Sequence, residues 1–146
     1  DEAARSVSRE LAAAIGARVL EIPEGVKARY HAAAVFASNF PMVLLATAMQ
    51  LLTSTGISEE AARGALGTLL VAAAENASAM GPVKAMTGPV ARGDVETVRA
   101  HLGALGDVPE ILELYRVLSR EGVGVAEEGG ADFARLEELR RVLRES

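Results

Sequence analysis

An apolar stretch from about Ala32 to Leu52, rich in alanine and without a charged side chain, most constrains what this chain can fold into. A membrane-spanning helix needs about 20 mostly apolar residues. Ser38, Asn39, Pro41, Thr47 and Gln50 interrupt this stretch, so it reads as a buried helix of a soluble protein. Half of the 146 residues are hydrophobic, only 3% are aromatic, and β-branched runs are short. That composition favours closely packed helices in one compact domain.

Helix signals punctuate the chain. Ala3, Val7, Leu11, Ala14 and Ile15 are spaced for a helix over 2–15, with Gly16 as its stop. Arg18-Val19-Leu20-Glu21-Ile22 alternates up to Pro23 and predicts a short strand. A second helix is expected from Gly25 to Thr55, kinked at Pro41. Ser58 is the expected cap of a third helix running to Met80, Asp94 of a fourth, Asp107 of a fifth ending near Arg120, and Asp132 of a last one. Gly122 to Gly130 reads as a loop.

Two polar islands stand out from this background. In the first, Lys27, His31 and Ser38 follow i, i+4, i+11 spacing, which places them within about 40° on one helical face. A lysine ammonium can protonate a developing alkoxide. An imidazole with an unperturbed pKa of about 6.5 can orient a substrate or shuttle a proton. Taken alone, Lys27 reads more plainly as a solvated first-turn residue and His31 as a core histidine, and Ser38 can simply donate to the carbonyl four residues back. Asn39 reads equally as a partner for backbone groups left by Pro41. Tyr30 reads as a packing residue.

The second island, Thr87-Gly88-Pro89-Val90-Ala91-Arg92-Gly93-Asp94, runs into a helix N-terminus, a natural place for a carboxylate or phosphate. Arg92 can bind either in bidentate fashion. The plainer alternative is a rigid connector in which Asp94 caps the helix and pairs with Arg92. His101 reads as a solvated histidine, and Met42, Met49 and Met80 as core filler.

Several functions are disfavoured. The net charge of -5, with no basic stripe, argues against nucleic acid. There are no cysteines, which removes thiolate chemistry, disulfides and Cys-ligated zinc. Two histidines without carboxylates at ligand spacing give no metal site, and no phosphate-cradling Gly-rich motif is present. No membrane partner is expected. The chain opens at Asp1 without Met or an apolar leader, which gives the expectation of a piece of a longer protein.

Lys27-x-x-Tyr30-His31-Ala32-Ala33-Ala34 with Ser38-Asn39, followed by Thr87 to Asp94, resembles a C-terminal domain of no assigned function that follows a Rossmann-like domain in NAD(P)-dependent oxidoreductases. The resemblance runs from the first helix to about Arg120. It implies a mainly all-α helical bundle of the 6-phosphogluconate dehydrogenase C-terminal-like type, related to pyrroline-carboxylate reductase. Residues 1–24 would be the last helix and strand of a Rossmann-like domain, and 25–146 the helical substrate and dimerisation domain. In β-hydroxyacid dehydrogenases a catalytic lysine is followed four residues later by asparagine. Lys27 is similar to that lysine, and His31 stands where the asparagine would be. Thr87-x-Pro89 is similar to the Thr-Ser-Pro loop of pyrroline-carboxylate reductase.

What the resemblance implies is therefore Lys27 and His31 in catalysis, with Ser38, Asn39, Thr87 and Arg92 binding a small carbonyl or imine substrate. NADP or NAD would be held mainly by a domain outside this sequence, with no cofactor-binding residue and no metal here. A homodimer through the long helices and a cytoplasmic location are expected, and the isolated chain should be inactive. The alternative is a non-catalytic helical module for dimerisation or ligand sensing.

Overall fold

The computed structural model describes residues 2–17 and 19–144. The chain divides into two units, Asp1–Val43 and Leu44–Ser146.

The first unit opens with α1, Glu2–Ala14. It stops as the sequence predicts. The Gly16 N–H bonds the Ala13 carbonyl at 3.1 Å and the Ala17 N–H bonds that of Ala12 at 2.8 Å, with Gly16 at φ +68°. This pairing closes a helix around a left-handed glycine. Residues 19–22 follow without regular structure, and no strand forms among the described residues. Of the strand expected over 18–22, the described residues 19–22 are not strand. A strand exists only through its ladder partner, and Arg18 lies outside the described residues. What holds the segment is an ion pair: Arg9 Nη2 lies 2.7 Å and Nε 3.0 Å from Glu21 Oε1.

The single long helix expected from Gly25 is two helices, α2 (Lys27–Ser38) and α3 (Phe40–Thr53). Proline lacks a backbone donor and crowds the preceding turn. The break falls at Asn39, two residues before Pro41, and the Asn39 carbonyl accepts from Met42 at 3.0 Å and Val43 at 3.3 Å. The expectation of a buried helix here is overturned. No residue of α2 or α3 is buried, and Phe36 is 70% exposed. Length and composition alone would let Lys27–Thr53 cross a membrane.

In the second unit, α4 (Glu59–Met80) is capped by Ser58, whose hydroxyl accepts from the Ala61 N–H at 3.3 Å, with Glu59 and Glu60 at the positive end. Two single-turn helices, α5 (Pro82–Ala85) and α6 (Gly88–Ala91), lead to α7 (Val95–Ala104), α8 (Pro109–Glu128) and α9 (Phe133–Val142). α5 packs on α4 and α8, α6 on α7 and α8, and α9 on α7 and α8. Val95, Val98, Val123, Ala126, Leu136, Leu139, Val142 and Leu143 form the core, with Val90, Leu102, Tyr115 and Ala131 against it.

Two local expectations fail here for identifiable reasons. The predicted loop over Gly122–Gly130 is helical as far as Glu128, because Val123 and Ala126 are buried in the core and tertiary burial outweighs the glycines' poor helix propensity. Asp107 does not cap α8. Pro109 takes the first helical position, Val108 becomes the cap residue, and its side chain makes no cap bond.

Leu139 is fully buried whereas Phe133, on the same helix, is 64% exposed. Leu139→Ala is expected to cost about 2–5 kcal/mol in urea unfolding, and Phe133→Ala about 0.5 kcal/mol or less. Similar losses for both would show that the core is not where the packing places it.

Candidate functional site

Lys27 is the first residue of α2, with no acidic side chain in that turn and no side-chain cap from Val26. A cation there opposes the positive end of the helix dipole, so the residue is not chosen for helix stability. Its side chain is exposed and makes no ion pair among the described residues. His31 stands one turn further on the same face, also exposed rather than buried in a core. Ser38 is occupied, since its hydroxyl donates to the Ala34 carbonyl at 2.7 Å and lies 3.0 Å from Asn39 Oδ1. Asn39 sits at the break, its N–H on the Val35 carbonyl. The first unit thus offers one ammonium and one imidazole side by side, with a hydroxyl already engaged. Tyr30 is half exposed.

Thr87 and Arg92 belong to the second unit, where the predicted loop contains the helical turn α6. Gly88 at φ +94° lets the chain turn in, and Pro89 pre-sets the first turn. Thr87 is the exposed cap residue of α6, and its hydroxyl makes no cap bond. Arg92 closes the turn, its N–H 3.3 Å from the Gly88 carbonyl.

Asp94 then caps α7. Its Oδ1 accepts from the Thr97 N–H at 3.1 Å and its Oδ2 from the Thr97 hydroxyl at 2.8 Å. Those two bonds, with the Arg92 guanidinium at 3.6 Å, hold the Asp94 carboxyl below its usual range. The Asp94 carboxylate therefore takes the place that an outside anion would take at this helix end.

Around the turn lies an open cleft of about 380 Å3 lined by Arg92, Gly93, Asp94, Glu96, Arg135 and Glu138 among others. Gly93, buried and at φ +63°, faces the Arg135 stem so closely that a Cβ would fall 2.6 Å from Arg135 Cβ. Sequence reasoning missed Arg135. It comes from α9, and no spacing signal joins it to Arg92.

It also missed the partner of His101, whose Nδ1 lies 2.9 Å from the Tyr115 hydroxyl, with the rings edge to face at 5.7 Å. The histidine is exposed, yet fixed by α8. Burial raises the Tyr115 phenol above its usual pKa, with a bond from Ser119 acting the other way. Among the described residues no group of three metal-ligating side chains occurs.

The model of one family, described as a domain of unknown function (DUF2520), matches residues 1–121. The chain belongs to this family. No curated protein and no solved structure matches it. The DUF2520 match includes Lys27, His31, Ser38, Asn39, Thr87 and Arg92 and ends inside α8. The helix α9, which supplies Arg135 and much of the core, follows the matched region.

Asp94 supports α7 most strongly while ionised, since a charged acceptor bonds the Thr97 donors and the helix end better than a neutral one. Its folded pKa is depressed, so its contribution is present above the unfolded value and lost as pH falls through the folded one. Asp94→Ala is expected to lower the urea midpoint at pH 7 and to lower it less in acid, as the carboxylate is protonated. An equal deficit in both conditions would show that the cap does not depend on charge.

Proposed function

We propose that this DUF2520 chain is the helical substrate and dimerisation domain of an NAD(P)-dependent oxidoreductase acting on a small carbonyl or imine. The observation that carries the reading is the pair Lys27 and His31: adjacent on one face, exposed, with the lysine placed where it opposes helix stability. Chemistry-bearing residues set against local preference are expected at functional sites. Lys27 Nζ would deliver a proton to the oxygen or nitrogen of the substrate's double bond, and His31 would orient that bond. In the second unit, Thr87 and Arg92, both exposed, would hold an anionic group.

The nicotinamide would supply the hydride. Among the described residues there is no strand, glycine turn and helix unit to cradle a pyrophosphate. In this reading the cofactor would be held by a Rossmann-like domain of which α1 and residues 19–22 would be the last part. The location proposed is cytoplasmic.

A homodimer through the long helices is part of the same reading. Phe36, Phe40, Met42, Val43, Leu69 and Val71 are exposed on α2, α3 and α4, and apolar surface of that kind is what protein partners cover. Sedimentation without detergent should give twice the chain mass. A monomer would sink the dimer, and a need for detergent would favour a bilayer instead.

The catalytic role is tested in the full-length protein by NADH and NADPH oxidation with small 2-oxo acids and cyclic imines. Lys27→Ala should lower kcat about 100-fold or more and leave the unfolding midpoint unchanged. Parallel losses of activity and stability would overturn the role. Absence of turnover with every substrate would leave the second reading, a non-catalytic dimerisation or ligand-sensing module, which the engaged Ser38 hydroxyl favours.

A further inference from the structure

Thr87-Gly88-Pro89 is bracketed by Met86 and Val90, and both brackets rest on one point of α8. A Cβ built on Gly122 would lie 2.9 Å from Met86 Cε and 3.3 Å from Val90 Cγ1. Two turns further, Gly129 meets Val83 Cγ1 at 3.5 Å. Met86 and Val90 thus close on α8 at a point where the helix carries no side chain, while the Val83 contact at the cap residue Gly129 is of ordinary van der Waals length.

We infer that Gly122 is a positioning residue for the Thr87 turn. Its neighbours decide which side yields when a methyl is added. Val123 and Ala126 are buried in the core, so α8 is held in place from behind. Met86 ends in a flexible methyl that can swing aside. Val90 is β-branched and stiff at χ1, so its share of the displacement passes into the backbone of α6. That helix is a single turn, and Thr87 is its cap residue. Displacement at Val90 therefore reaches Thr87 and Arg92 together. Gly124, on the same helix, has no atom within 4 Å of its Cβ position, and so provides a matched control.

The value of this placement for substrate rests on the reading of Thr87 and Arg92 given above; the placement itself does not. Gly122→Ala and Gly124→Ala are compared in the 146-residue chain by amide NMR, with oxalate as an anionic probe. Alanine is the better helix former at both sites, so α8 should persist in both variants. Gly122→Ala should shift the amides of 86–92 and weaken oxalate binding severalfold, while Gly124→Ala does neither. Adding Val90→Ala to Gly122→Ala should return the Thr87 and Gly88 amides towards their original positions.

Amides over 86–92 that move no more in Gly122→Ala than in Gly124→Ala overturn the inference. Displaced amides with unchanged oxalate binding also overturn it, making Gly122 a packing residue only. An original chain that gives no oxalate response at Thr87 or Arg92 removes the substrate-holding role, while the amide shifts still decide what Gly122 does.

Discussion

The second unit depends on the inward face of α8. Val123 and Ala126 meet Val98 from α7 and Leu136, Leu139 and Leu143 from the C-terminal segment, and this shared burial gives three helices a common centre. Each fully buried leucine or valine contributes about 1.5–3 kcal/mol, far more than any surface ion pair in the structure can. The same helix presents Gly122 to Met86 and Val90 on either side of the Thr87 turn. One helix therefore supplies bulk where the core needs volume and bare backbone where short segments must come close. The chemistry-bearing turn at Thr87 and Arg92 inherits its place from that division.

The long helices are organised on a different principle. α3 is apolar almost throughout, yet none of its residues is buried, and α4 buries only Ala62. Helices of this length gain most of their stability from tertiary packing, so such surfaces call for a partner. The proposed second copy of the chain supplies one. The small side chains that make α2 to α4 rich in alanine would let backbones approach closely in such an arrangement.

Local chemistry was legible in the sequence where a single residue type decides the outcome. Ser58, Asp94 and Asp132 begin helices through their side-chain acceptors, Gly16 ends one because it lacks a side chain, and Pro41 interrupts the apolar run close to where it stands. Contacts between distant segments were not legible. The glycines of 122–130 promise a loop until Val123 and Ala126 find their partners, and Val19–Ile22 promises a strand that finds no ladder partner among the described residues. Asp107 looks like a cap, yet Pro109 shifts the helix start by one residue. Of the candidate site, the shared face of Lys27 and His31 and the pairing of Arg92 with Asp94 follow from spacing. Arg135 and the Tyr115 anchor on His101 depend on tertiary neighbours that no periodicity announces.

The way Asp94 closes the start of α7 has a consequence for any ligand recruited by Arg92. The helix end already holds an internal carboxylate, so an arriving anion enters there by exchange and not by addition. Its affinity is then a difference between two carboxylates for the same donors. A monodentate anion gains little from such an exchange. A ligand with two well-spaced oxygens, or one that reaches Arg135 across the cleft, gains contacts that the tethered aspartate cannot make. Selectivity would thus arise from competition with the chain itself.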